Sequence, residues 1–176
     1  MDEYGGHWVT TFSGRKFHFL NPHPDEIDIE DIAHALSLTC RFGGQCKEFY
    51  SVAEHSIRVA EIVPKDYKLH ALLHDASEAY LPDLPRPMKA ELPEFKRMEK
   101  GIMLAIAEKY ISFWGDERII KRADNILLAT EARDLMENTE DWAELPTPLV
   151  NQILPMPIEG MRVLFLRRFN EYREGK

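Results

Sequence analysis

Four side chains could do chemistry in this sequence: His55, the adjacent pair His74-Asp75, and Asp124. His55 falls on the helical stripe of Val52, Val59 and Ile62, where a plain core would carry an aliphatic residue. Asp124 lies among Ile120, Ala123, Leu127 and Leu128, and Asp75 interrupts Leu72, Leu73 and Ala76. Burying an isolated carboxylate is costly unless it is paired or bound to a metal. Taken singly, each has a structural reading: a hydrogen-bonded core His, a capping Asp, or an Asp paired with Arg122 or Arg133. Their combination with the His74-Asp75 dipeptide points instead to one shared cation. Adjacent helical residues project about 100° apart, so both members of the pair can reach an ion lying between them. Two neutral imidazoles and two carboxylates neutralise a divalent ion and leave room for water or a phosphate oxygen. Such mixed ligands suit Mn²⁺, Co²⁺, Fe²⁺ or Zn²⁺ ahead of Mg²⁺, which prefers oxygen alone. Water on such an ion has a lowered pKa and can attack phosphorus as hydroxide near neutral pH.

Other residues can serve that centre. Glu78 follows His74 by one helical turn, where it could hydrogen-bond the attacking water or protonate the leaving oxygen. Arg41, before Gly43-Gly44, could fork onto a phosphate or stand solvated at a helix C-terminus; spacing leaves both open. Asp83 sits between prolines, where a turn-forming Asp is common. Phe42, Trp8 and Phe17 could stack a base or simply fill the core. His34 precedes Arg41 by seven residues, on the same face of a continuous helix, and His70 precedes His74 by four.

The elements that must position these groups are mostly helical. Residues 8–20 are strand-like around Ser13-Gly14, a short hairpin. A first helix begins near Asp28, carries Ile29, Ile32, Ala33, Leu36 and Cys40 inward, and ends before Gly43-Gly44. A second starts at Ser51, whose spacing to Glu54 is that of a capping box. A third follows Pro64, and residues 81–87, with three prolines, read as stiff and non-helical. Long helices are expected over 93–110 and 116–136, and a last amphipathic one over 158–172 after a proline-rich crossing. The expected fold is an all-α bundle with a small N-terminal β-hairpin, one domain over 1–176.

At these residues the chain resembles the HD-domain hydrolases, whose motif is a His, a His-Asp pair and a distant Asp on a helical bundle. The pieces are Ala53-Glu54-His55-Ser56, His74-Asp75-Ala76-Ser77-Glu78 and Lys121-Arg122-Ala123-Asp124. It is most similar to the bacterial HD-type 5'-deoxyribonucleotidases, with Arg41 and Asp83-Leu84-Pro85 at matching places, and it also resembles small phage dATP triphosphohydrolases. The resemblance spans roughly residues 8–170. It implies that His55, His74, Asp75 and Asp124 hold one divalent metal, that Arg41 meets substrate, and that Asp83 is an acid/base carboxylate near the leaving group. Phe42 stands where the nucleotidases carry a nucleoside-contacting Trp, and the gap from His55 to His74 is shorter than theirs. The implied activity is release of phosphate from a 5'-deoxynucleoside monophosphate. Release of triphosphate from a dNTP is the alternative, with Arg86, Lys89 and Arg122 as further cations, and a nucleotide sensor without turnover comes third. Dimers are usual in the resembled family.

Composition narrows the partners. With 22 Lys and Arg against 30 Asp and Glu, the net charge is -8, which repels a nucleic-acid backbone at long range. A small nucleotide is still admitted, because a few placed cations or a metal outweigh the distant field. The two cysteines, Cys40 and Cys46, do not make a metal set and read as reduced thiols. No apolar run is long enough to span a bilayer, and the expected location is the cytoplasm.

Overall fold

Aromatic and β-branched residues flank Gly14, and there the chain doubles back. The computed structural model describes residues 7–112, 115–142 and 144–175. β1 (Val9–Thr10) pairs antiparallel with β2 (Lys16–Phe17), Val9 opposite Phe17 and Thr10 opposite Lys16. Gly14 makes the turn at φ +81°, a left-handed conformation that a Cβ would disfavour. Ser13 docks this hairpin by donating from its N–H (2.6 Å) and Oγ (2.9 Å) to the buried Asp31. Phe17 stacks on Tyr80 with ring centroids 4.0 Å apart and is fully buried, so it belongs to the core.

The other regular elements among the described residues are helices, and the fold is all-α with a small hairpin. α1 (Ile29–Leu38) is capped by Asp28, which accepts from the Glu30 N–H. α2 (Val52–Ile62) is capped by Ser51, which accepts from the Glu54 N–H at 3.0 Å. The capping box is only half made, because the Glu54 carboxylate turns to Arg58 and the Met156 N–H. α3 (Lys68–Leu72), α4 (Arg86–Ala90), α5 (Pro93–Tyr110), α6 (Glu117–Leu135) and α7 (Met161–Arg173) follow. α2 lies in the middle, packed against α1, α3, α6 and α7. Ile32, Leu36, Ile57, Leu72, Leu73, Ile106, Phe165 and Phe169 fill the spaces between helices. Each such side chain contributes about 1.5–3 kcal/mol by leaving water.

Four boundaries differ from the sequence pattern. α1 stops at Leu38 rather than running on to Gly43, because both Thr39 N and Oγ1 donate to the Ala35 carbonyl and close the last turn. The chain then turns back, with a bridge between Cys40 and Ser51. α3 ends at Leu72, so His74-Asp75 is not helical. α4 begins at Arg86, inside the stretch expected to be non-helical, because Pro87 fits the first turn of a helix, where no N–H is needed. α7 begins at Met161, after Gly160 at φ +87°, not at 158.

Candidate metal centre

α2 delivers His55 to the middle of the molecule, fully buried. Its Nδ1 lies 2.6 Å from Glu131 Oε1, so the ring is held from behind and Nε2 points away from that contact. His74 reaches the same place by a different route. After Leu72 the backbone tightens: the Leu73 N–H is shared between the Leu69 and His70 carbonyls, and Ala76 N donates to Leu73 O at 3.0 Å. Leu73 and Asp75 adopt φ/ψ of -99°/5° and -106°/17°, the sparsely populated region between helix and strand. In this turn His74 Nδ1 meets the Ala71 carbonyl at 2.7 Å. The two rings sit 5.3 Å apart between centroids.

Both Nε2 atoms are buried without a hydrogen-bond partner among the described residues. What they face is carboxylate. His55 Nε2 is 3.6 Å from Asp75 Oδ2 and 3.5 Å from Asp124 Oδ1, and His74 Nε2 is 3.2 Å from Asp75 Oδ2. His55, His74 and Asp124 each offer a ligand atom within 4.8 Å of the others, and this group could hold a metal ion. Asp75 stands beside it, its Oδ2 shared by both rings. An imidazole whose Nδ1 proton is anchored presents the Nε2 lone pair, the arrangement in which histidine binds metals. The residues present therefore fit a cation.

The electrostatics agree. Burial and Arg41 push the His55 pKa down, yet Glu131 and Asp124 outweigh them and hold it above its ordinary value. Burial likewise lowers that of His74, and Asp75 and Asp124 more than reverse it. Burial raises Asp75 and Asp124, but the neighbouring imidazoles hold both well below the usual carboxylate range. This is a place that draws positive charge.

Around the centre the structure assigns sharper roles than spacing did. Arg41 is not a solvated helix end: it opens a 3-10 turn, Arg41–Gly44, and its side chain is only 11% exposed. It donates from NH2 to Glu131 Oε2 at 3.1 Å and from NH1 to Asp75 Oδ2 at 3.4 Å. Phe42 follows at φ 55° beneath that guanidinium and tilts against Trp142, centroids 5.9 Å apart. Glu78 is buried on the 3-10 turn Ala76–Ala79; Lys89 donates to its Oε1 at 3.2 Å, while Oε2 has no partner among the described residues. Burial, with Asp75 and Asp83 nearby, raises its carboxyl to about 9. Asp83 is half-buried, and its charge acts on both Arg41 and Glu78. Lys89 also binds Glu99 at 2.6 Å, so it is committed to two carboxylates.

Other expectations fall away from the centre. His34 does not share a helix face with Arg41, since α1 ends between them; it stacks on Phe12, 3.8 Å between centroids, on the hairpin side. Asp124 is paired not with Arg122 or Arg133 but with Arg86 (2.9 Å) and Lys121 (2.7 Å). Arg133 binds Asp134 and the carbonyls of Leu149 and Asn151. Cys40 and Cys46 are free thiols, and burial pushes that of Cys46 up to about 12. Sequence reasoning gave no role to Glu131, the fully buried residue that orients both His55 and Arg41. The signal was available: Glu131 is seven residues beyond Asp124, two turns along the same apolar face of α6.

No family model matches the chain. The Escherichia coli K12 protein named Uncharacterized protein YfdR is 40% identical over 171 residues, covering 95% of this chain and 96% of that one. An uncharacterized protein of Rhodobacter capsulatus is 34% identical over 151 residues, 78% of this chain and 77% of its own length. No described helix is long and apolar enough to cross a membrane.

Proposed function

The chain belongs to the same family as YfdR of Escherichia coli, and from the centre its fold builds we propose that it is an HD-type, divalent-metal-dependent phosphohydrolase releasing phosphate from 5'-deoxynucleoside monophosphates. The observation that carries this reading is the pair of imidazoles, each held at Nδ1, whose buried Nε2 atoms have no hydrogen-bond partner among the described residues and turn to carboxylates. His55, His74 and Asp124, with Asp75 beside them, would hold the ion. When bound, a Mn²⁺, Co²⁺ or Zn²⁺ ion would supply a counter-charge for phosphate oxygens and a depressed pKa for water.

The chain's own residues do the rest. Glu78, with its carboxyl raised to about 9, keeps its proton at neutral pH and can give it to a departing oxygen. Lys89 fixes one carboxyl oxygen, and the other is buried with no partner among the described residues. Asp83 adds negative charge that helps keep that proton in place. Arg41, braced by Glu131, keeps a buried Nε–H that has no partner among the described residues, a donor for a phosphate oxygen once the site admits one. Phe42 and Trp142 offer aromatic surface nearby for a base. A deoxyribose 5'-alkoxide is strongly basic and needs a proton to leave, whereas triphosphate needs one far less. Glu78 thus favours the monophosphate, and a sensor without turnover would have no use for it.

The second reading, triphosphate release from a dNTP, draws support from the cations Arg86 and Lys121 on Asp124. Incubating the protein with dNMPs and dNTPs in Mn²⁺ or Co²⁺, and reading phosphate against triphosphate, separates the two. Metal-loaded protein that forms neither product would return the site to sensing.

A further inference from the structure

Cys40 and Cys46 flank the turn that carries Arg41 and Phe42, and neither belongs to the group that could hold a metal ion. Phe42, Gly43 and Gly44 adopt φ of 55°, 61° and 81°, three left-handed residues in succession, and they reverse the chain. The Gln45 N–H closes that reversal on the Phe42 carbonyl at 3.2 Å. Before it Cys40 pairs with Ser51, and after it the Lys47 N–H donates to the Leu135 carbonyl at 2.9 Å. Both ends are thus fixed, and the two cysteines are brought side by side. Cys46 Sγ donates to the carbonyl of Arg41, the residue bonded to Cys40, at 3.3 Å. The two thiols are themselves within hydrogen-bonding reach of one another. Each cysteine is half-buried, while Gly43, Gly44 and Gln45 between them are exposed, so the turn lies open to small molecules.

We infer that Cys40 and Cys46 are a redox-active dithiol, closed to a disulfide by a small-molecule disulfide, and that the closed form clamps the Arg41 turn. A disulfide needs its two Cα atoms within about 7 Å, which cysteines already in side-chain contact satisfy or approach. Cys46 is pushed up to about 12, by burial first and by Cys40 beside it, so it keeps its proton and Cys40 attacks. The Cys40 thiolate attacks one sulfur of the small disulfide and expels one small thiolate. Cys40, once bonded, no longer carries the charge that helped to hold the Cys46 proton. Cys46 Sγ then attacks the Cys40 sulfur and expels the second small thiolate. Two electrons and two protons leave the cysteines, and the small disulfide carries them away as two thiols. The pair stands apart from the hydrolase reading, on which only the consequence of clamping Arg41 depends.

Anaerobic titration of the full-length protein with mixtures of oxidised and reduced glutathione, read by intact mass and free-thiol count, tests it. The folded protein should lose both thiols and two hydrogens, without cross-linking on a non-reducing gel. It should do so about tenfold or more readily than the urea-unfolded chain, because the fold has already brought the sulfurs together. Cys46→Ser should stop at a glutathione adduct on Cys40, and Cys40→Ser should take up glutathione about tenfold more slowly. Hydrogen exchange at the Gln45 and Lys47 amides should slow about tenfold or more in the disulfide form. An adduct that never resolves in the wild type, cross-linked chains, or a folded protein no easier to oxidise than the unfolded one overturns the pair. Unchanged exchange overturns the clamp, and equal reaction of the two variants overturns the order of attack. No nucleotide is turned over in these measurements, so failure of the hydrolase reading would leave their outcome standing.

Discussion

Replacing Glu131 by Gln keeps the side chain's size and removes one charge from a fully buried position. Glu131 accepts at one oxygen from His55 Nδ1 (2.6 Å) and at the other from Arg41 NH2 (3.1 Å). Gln has a single acceptor oxygen, so it can serve only one of them. If the amide oxygen stays with Arg41, its NH₂ faces His55 Nδ1. The ring proton must then move to Nε2, which removes the lone pair turned toward the metal centre. If the oxygen serves His55, a buried guanidinium loses its main partner, at a cost of about 3 kcal/mol or more. Loss of a residue that orients a metal-binding His costs roughly 10–100-fold in metal affinity, about 1.4–2.7 kcal/mol. Glu131→Gln should therefore bind Mn²⁺ or Co²⁺ at least tenfold more weakly in a competition titration, or unfold at clearly lower urea, or both. A variant that matched wild type in both measurements would refute the assignment of Glu131 as the residue that orients the centre.

His74→Ala and Asp124→Asn should each lose the divalent ion, read by elemental analysis after dialysis; full metal content in both would disqualify the proposed ligand set. Arg41→Ala leaves Glu131 buried with one fewer counter-charge and should lower stability by about 3–5 kcal/mol in urea unfolding, whereas a solvated arginine would cost almost nothing. In the metal-free protein, Glu78 is held protonated to about 9 when folded but ionises near the ordinary 4.5 when unfolded. Between those values the native state binds the extra proton, so stability should fall as pH rises from about 4.5 to about 9. Glu78→Gln should flatten that slope in urea titrations across the range.

Much of this fold was legible because the relevant forces are local. Ser51 and Asp28 cap their helices where their side chains predict, and the apolar period of α5 and α6 places both to within a residue or so. Gly14 marks the hairpin turn. His55 and Asp124 stood out because a polar group on an apolar stripe needs a reason. The rest depends on contacts distant in sequence. That α3 stops at Leu72 follows from the hydrogen bonds of the turn and from what its side chains meet, and nothing in the run Leu69 to Ala76 breaks a helical pattern. Glu131 looked like one more charged residue on a long helix until α2 and the Arg41 turn were placed against it. Arg86 could not be matched to Asp124 because α4 was expected to be loop.

α6 contributes Asp124 and Glu131 from rungs about 10 Å apart on one rod, since each residue rises about 1.5 Å. The two are therefore not independently adjustable. One residue inserted between them would swing everything beyond it by about 100° and move Glu131 off the face that meets His55, while Asp124 stayed in place. Along this stretch the tolerance for length change is nil, although many single substitutions on the outer face would pass. The crossing that carries Val150 and Leu154 answers to the same rod: Arg133 and Asp134, two and three residues beyond Glu131, hold the Leu149 and Asn151 carbonyls and the Ile153 N–H. Between Asp124 and Glu131, evolution is confined to exchanging one side chain for another.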